Sequence, residues 1–358
     1  MKFGNDLGNG LGAEMQAYLD KTLLTNIAEN SIFDRLATMT RALPLRNSKE
    51  IRFDKWVRMA DLYLANNLNQ DFTGNVIDAP NNIDEETLQY TPANEYQNFV
   101  LEEGSSGQSK SQMKLIKQEA TVFAIGDWMP FTEEMEMFHN RWTAAETSKQ
   151  MGELAGLIID GYYRDLYVNG AGHLNDISSD GAGNDNVIDA AFTDACSRME
   201  TALKLSGAKP MNAIMSASPL YGTVPVRAKY TMYVHSIVAE QLLNNPDFTP
   251  VEKYAPNGGM ENEMGIIGKL RVIENHNAPL VEVSAGVYTC DCIVVGKDHT
   301  AHVPVRGKGS TEFILQPLGS GGTSDPLKRS GTAGWQSWLG AKVLYPERLG
   351  IVRARVNY

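Results

Sequence analysis

Residues Thr143 to Val168 read TAAETSKQMGELAGLIIDGYYRDLYV, and no other stretch says as much about the fold. Thr143 and Glu146 stand at the S/T-x-x-E spacing of a capping box, in which each side chain satisfies the other's backbone amide at a helix start. No proline follows until Pro210, and Asn169-Gly170 supplies a stop. At about 1.5 Å per residue, this predicts one rod of about 39 Å. Met151, Leu154, Ala155, Ile158, Tyr162 and Leu166 are expected on one face, with Glu146, Lys149, Glu153, Asp160 and Arg164 on the other. Gly152, Gly156 and Gly161 each cost about 1 kcal/mol relative to alanine, so something is expected to pack close against the helix backbone. The acidic TEEMEMF before the rod reads as a separate helical turn or an extension of it.

Upstream, Glu50 to Met59 (EIRFDKWVRM) reads as a strand, with Ile51 and Phe53 alternating against Arg52 and Asp54. Residues 96–125 read as two extended strands, YQNFVLEE and MKLIKQEATVFAI, joined by the flexible tip GSSGQSK. With residues 60–95, which show no lasting period, they make an extended loop of about seventy residues, a length that usually implies a function. Glycines at 4, 8, 10 and 12 precede a helix-like stretch from Glu14 to Arg41. Its apolar positions, Leu19, Leu23, Leu24, Ile27, Ile32, Phe33 and Leu36, fit a 3.6 period loosely, which suggests an arm with helical pieces.

Downstream, a Gly/Asn/Asp/Ser loop spans 171–188, and 189–206 reads as a second amphipathic helix closed by Gly207. NAIMSAS reads as a buried strand, and YTMYVHSIVAEQLLN as a helix after an extended start. The remainder is strand-rich: KLRVIEN, APLVEVSA, VYTCDCIVVG, AHVPVRG, TEFILQPL and WLGAKVLYPERLGIVRARV. The class is α+β with one dominant helix.

Composition narrows the function. Among 358 residues, 42% hydrophobic and 21% charged is an ordinary globular balance. The 32 basic and 43 acidic residues leave a net charge of −11, against a protein built to grip nucleic acid through its phosphates. Three cysteines cannot form a disulfide framework, which fits a reducing compartment. The opening MKFGNDLGNGLGAEM lacks a signal-peptide core, and no apolar run nears the roughly 20 residues of a bilayer span. A soluble chain made in a cytoplasm, with no membrane partner, is expected.

Chemical motifs fall short. Cys290-x-Cys292 with His299-x-x-His302 superficially resembles a zinc site, but the cysteine spacing suits one face of a strand better than the turn a zinc knuckle uses. Asp176-x-Ser178-x-Asp180-Gly181 matches half of a calcium loop, yet Val187 stands where the bidentate glutamate belongs. Gly307-Lys308-Gly309 and Gly319-Ser320-Gly321-Gly322 fit no phosphate loop. Lys110, Lys114 and Lys117 alternate with apolar residues as on a half-solvated strand. No catalytic residue, metal ligand or cofactor is assigned, and no enzyme is expected.

From Val294 to Ala341 the sequence carries Gly296-Lys297-Asp298, Gly307-Lys308-Gly309, the run PLGSGGTSDPL from Pro317 to Leu327, and Gly334-Trp335. In that order these strongly resemble the C-terminal signature of the tailed-phage major capsid family typified by coliphage N-four. Weaker similarity covers Ile266 to Gly268, Val272 to Glu274 and Asp127 to Glu134, where the family's extended loop returns and its helix begins. Residues 60–95 are longer than the family's usual loop, and 1–40 align with nothing in it.

The resemblance implies a Hong Kong 97-like capsid fold with an N-terminal arm, an extended β-hairpin loop, a long spine helix and a mixed α/β axial domain. It implies a division into an arm (1–48), an extended loop with the first peripheral-domain strand (49–126), a peripheral domain with the spine helix (127–188), a mainly axial part (189–305) and C-terminal peripheral strands (306–358). The implied function is self-assembly into hexamers and pentamers of an icosahedral shell around phage double-stranded DNA. The partners implied are the chain itself, portal and scaffolding proteins, decoration proteins, and DNA through weak non-specific contact. Assembly would occur in the host cytoplasm and the product would be the virion capsid. The tip Gly104, Ser105, Ser106, Gly107, Gln108, Ser109 and Lys110 is expected to lie on a neighbouring subunit. Two rivals stay open at this point: an encapsulin-like compartment shell of the same fold, and a metal-dependent hydrolase in which Asp176, Asp180, His299 and His302 converge.

Overall fold

The computed structural model describes residues 13–43, 49–56, 83–84, 89–90, 113–138, 144–178, 188–211, 228–254, 262–284, 286–305, 311–320, 326–327 and 329–357. The first helix, α1 (Ala13–Asn30), is followed by a 3-10 turn at Phe33–Leu36 and a short strand, β1 (Met39–Thr40). Strand β2 (Glu50–Trp56) alternates as its sequence demands, with Ile51 and Phe53 buried and Arg52 and Asp54 exposed. Two-residue strands β3 (Ile83–Asp84) and β4 (Gln89–Tyr90) pair with each other. Strand β5 (Leu115–Thr121) precedes β6 (Phe123–Thr132), then α2 (Glu133–Phe138) and the long α3 (Ala144–Gly170).

Thereafter come β7 (His173–Asp176), α4 (Ala190–Leu205), β8 (Tyr230–Val234), α5 (Ser236–Leu242), β9 (Phe248–Pro250), β10 (Glu263–Ile267), β11 (Leu270–Glu274), β12 (Leu280–Ser284) and β13 (Val287–Val295). Strands β14 (Thr300–His302), β15 (Thr311–Gln316), β16 (Ser330–Leu339), β17 (Ala341–Val343) and β18 (Leu349–Asn357) complete the described elements. Helix α4 starts where Asp189 accepts the Ala191 amide. It ends in a Schellman pair: Ala208 N–H donates to the Leu203 carbonyl and Gly207 N–H to that of Lys204. Gly207 takes φ +70°, the left-handed value that makes glycine the natural residue there.

A central eight-stranded sheet runs β7-β18-β13-β8-β11-β10-β9, with β12 paired beside β13. Alternation splits its side chains between two cores. Met232, Val272, Cys290, Cys292, Val294 and Val352 face α4 and α5. Tyr233, Ile273, Ile293 and Val295 join α1, α3 and the sheet β15-β16-β6. A third core joins Ile51, Phe53 and Ala120 to Ala301, Val303 and Leu344.

Four expectations need correction. Residues 171–188, read as a loop, contain β7, whose His173 to Asp176 pair in parallel with Gly350 to Arg353 of β18. Helix α3 buries Met151, Ala155, Ile159, Tyr163 and Tyr167, an i, i+4 row, while Leu154 and Ile158 are exposed at 41% and 43%. Asp160, expected on the polar face, is fully buried, because three donors satisfy its carboxylate. Residues 113–125 are two strands rather than one: β5 ends at Thr121 and β6 enters a different sheet, pairing with β16 from Phe123 to Thr132. Strand β5 pairs along its whole length with β2, Glu50 opposite Thr121 and Trp56 opposite Leu115. Residues 96–103, read as its partner, lie outside the described residues, as do Thr143 and NAIMSAS.

The close approach expected at the helix glycines is found at Gly152, while a Cβ on Gly161 would meet nothing nearer than Arg164 Nη2 at 4.0 Å. A Cβ on Gly152 would lie 2.8 Å from the Leu23 carbonyl oxygen, so α1 is the element that approaches the α3 backbone. Leu19, Leu23 and Ile27 form the buried row of α1, and Leu24 is exposed.

Candidate functional site

The residues that could have made a reactive centre are dispersed. Cys290 and Cys292 are free thiols, wholly buried on the inner face of β13. A hydrogen bond with Cys290, together with burial, pushes the Cys292 thiol well above its usual range, which suppresses the thiolate that metals and electrophiles need. His299 is fully buried against Tyr167, its Nδ1 3.0 Å from the Gly296 carbonyl. Burial holds it neutral down to about 4. His302 Nδ1 bonds the Tyr163 hydroxyl, and burial lowers its basicity too. Asp176 accepts the amide and hydroxyl of Ser178 and lies beside Arg353, while Asp180 falls outside the described residues. Among the described residues, no three His, Cys, Asp or Glu side chains gather where they could hold a metal, and no helix is long and apolar enough to cross a membrane.

What the fold does build is outward apolar surface. The β2–β5 ribbon buries one face at its base, where Ile51, Phe53 and Ala120 enter the third core and Lys55 pairs with Glu347 at 2.7 Å. Its other face is held by side chains such as the Arg52–Glu119 pair. Farther along that face, Trp56 stands 55% exposed opposite Leu115, with Met113 and Lys114 just beyond. On α3, Leu154, Leu157 and Ile158 form an uncovered i, i+3, i+4 group between Glu153 and Asp165. On the outer face of the sheet β15-β16-β6, Trp128 and Ile314 flank Gly334 and wall a shallow trough of about 400 Å³. Val281 and Val283 are exposed on β12. Monomeric proteins rarely leave so many large apolar side chains uncovered in groups, and such groups mark association sites.

The sequence-predicted tip, Gly104 to Lys110, lies outside the described residues, but the ribbon that leads toward it is in place. The α3 group and Trp128 were missed by sequence reading. The signal available was a cluster of leucines on a helix whose opposite side already held a complete apolar row.

No protein-family model matches the chain, and no curated protein sequence matches it. Solved structures do. The capsid of Ralstonia phage GP4 superposes with a TM-score of 0.57 at 10% identity, over 100% of this chain and 95% of that one. The capsid structure of cyanophage P-SCSP1u gives 0.56 at 11%, over 98% and 92%. The head structure of Helicobacter pylori bacteriophage KHP40 gives 0.53 at 13%, over 100% and 94%.

This chain has the phage capsid fold. The α+β class and the order of ribbon, long helix and mixed sheet read from the sequence agree with it. Identities of 10–13% carry the fold and leave the chemistry to this chain's own residues.

Proposed function

We propose that this chain is a tailed-phage major capsid protein, self-assembling into hexamers and pentamers of an icosahedral shell around double-stranded DNA. The observation that carries the reading is superposition on phage capsid subunits over essentially the whole of both chains. The narrower N-four-type label rests on the signature from Val294 to Ala341 alone. The five-part division at 48, 126, 188 and 305 belongs to the same proposal.

The physical logic is consistent with a shell. Each subunit of a closed lattice presents one surface to a different surface of its neighbour, so projecting apolar groups are matched by receiving ones. On this reading Trp56, Leu115 and the tip Gly104 to Lys110 project, and apolar patches such as the α3 group receive. A net charge of −11 keeps the inner wall from trapping packaged DNA, leaving only weak non-specific contact. Portal, scaffolding and decoration proteins are the further partners proposed, with assembly in the host cytoplasm and the virion as destination. The reading requires no catalytic centre and no cofactor.

Electron microscopy of the expressed chain, alone and with its scaffold, tests it. Closed hollow shells, or rings of six and five, are expected. A monomer at high concentration in both settings overturns it. Shells that package an enzyme and lack a portal vertex would point to a compartment protein instead.

A further inference from the structure

Asp160 lies near the middle of α3 and is fully buried, a position where a leucine would be cheaper. One carboxylate oxygen accepts the backbone amides of Ile32 and Phe33, at 2.8 and 2.6 Å. The other accepts the side-chain amide of Asn277 at 2.8 Å. Ile32 and Phe33 open the 3-10 turn after α1, and Asn277 lies in the connection between β11 and β12. One side chain therefore ties the N-terminal segment, the spine helix and the central sheet together.

We propose that Asp160 is a three-way latch, and that opening it lets residues 13–43 leave the spine helix as a unit while the central sheet stays folded. Two features make the departure local. The core between the sheet and helices α4 and α5 contains no residue of 13–43, so the segment meets the sheet only on its other face, where Phe33 packs on Tyr233. The polar ties of the segment to α3 are directed at its main chain: Ser148 Oγ donates to the Leu19 carbonyl, Tyr167 Oη to that of Phe33, and Asp160 receives the two amides. Beyond the turn, the segment is tied by the two-residue pairing of β1 with β14, the Leu43–Val305 bridge, the Thr38–Asp298 pair and Arg41 on the Arg52 carbonyl. Helix α1 is held to β15 where Asp20 accepts the Phe313 amide.

The latch is also loaded. Asp34, in the same turn, faces Asp160, Tyr163, Tyr167 and His302, and its Oδ1 is buried with no hydrogen-bond partner among the described residues. Tyr233 closes the same pocket from β8, His299 lies against Tyr167 beside the β14 end, and Arg164 reaches Asn277 at 3.3 Å. Desolvation outweighs the donors and raises the Asp160 carboxyl above its ordinary range, with Asp34 adding to the rise. The sign follows: a carboxyl raised in the fold is a burden while charged, and its own titration favours the folded state as pH falls. The hold is therefore under most tension near neutrality. The use of a released segment by another copy rests on the shell reading; the latch itself does not.

Hydrogen exchange on the full chain tests it, reading peptides over 13–43, 275–284 and the central strands 230–234 and 287–295. Asp160→Leu removes every acceptor but is larger than aspartate, so Asp160→Ala, which removes them without adding volume, is measured beside it. Both should speed exchange in 13–43 by about ten-fold or more, with the central strands unchanged. Asp160→Asn keeps one acceptor for the two amides and opposes a donor to Asn277, so 275–284 should change and 13–43 should not. Full protection of 13–43 in Asp160→Leu or Asp160→Ala, equal loss across the central strands, or identical behaviour of Asp160→Ala and Asp160→Asn would each overturn the latch. Should neither Asp160→Leu nor Asp160→Ala fold, Asn277→Ala removes a single arm. It should loosen 275–284 and spare the central strands, and loss of their protection would overturn the proposal equally. Because every readout is taken on the subunit, failure of the latch and failure of shell assembly are told apart.

Discussion

Strands β13 and β2 differ in sequence as in fate: β13 closes on the unbroken apolar run Cys292 to Val295, whereas β2 alternates Ile51 and Phe53 with Arg52 and Asp54. Strand β13 lies between β18 on one side and β12 and β8 on the other, and Cys292, Ile293, Val294 and Val295 are wholly buried, facing two different cores. Strand β2 has a single described partner, buries Ile51 and Phe53 on one face, and leaves Trp56 in solvent on the other. The central sheet is complete within one subunit. Among the described residues the ribbon is covered on one face only, with Trp56 and Leu115 left on the other. Stability and assembly should accordingly sit in different residues, and substitutions can separate them.

The largest effect belongs to the complete region. Ile293→Ala removes a fully buried side chain from β13 and should cost about 2–5 kcal/mol, read as a lower denaturant midpoint. If the cost is below 1 kcal/mol, as at an exposed site, the sheet is less tightly packed than its burial implies.

Acid should act on the same body through His299. The unfolded imidazole takes its proton near 6.5, whereas the buried ring resists until about 4. Its contribution is complete above 6.5 and declines as pH falls to about 4, by up to about 3 kcal/mol. Asp160 opposes this trend, so the net slope will be shallower than His299 alone would give. Unfolding midpoints measured from pH 7 to 4 should fall in the parent and stay flatter in His299→Gln. Parallel curves would remove His299 from the account.

A smaller cost is expected where α1 touches α3. Gly152→Ala places a methyl 2.8 Å from a backbone oxygen and should cost about 1–3 kcal/mol, while Lys149→Ala on the exposed side should change little. Equal melting shifts at both positions would show that the helices are not in close contact.

These contrasts explain what the sequence disclosed. Strand β13, helix α4 with its Asp189 start and Gly207 stop, and the alternation of β2 were legible because local pattern and burial agree there. The face of α3 was not. Hydrophobic periodicity places leucine inside and aspartate outside, and here Leu154 and Ile158 face outward while Asp160 is sunk among backbone amides. Patterning within one chain foresees neither the backbone amides that hold Asp160 inside nor, on the shell proposal, a second copy over Leu154 and Ile158. Catalytic motifs misled less, since spacing alone placed Cys290 and Cys292 on one inner strand face, where they lie.

The smallest effect on stability and the largest on assembly should come from the ribbon. Trp56→Ser with Leu115→Ser removes two exposed apolar groups and should shift the unfolding free energy by no more than about 0.5 kcal/mol. Sedimentation velocity of this double variant beside the parent, at one concentration and with one scaffold, tests the central claim most directly. The account predicts that the parent sediments as closed shells, and that the variant stays at single-subunit or small-ring size with an unchanged melting midpoint. A parent that remains monomeric, or a variant that forms shells as readily as the parent, would contradict it.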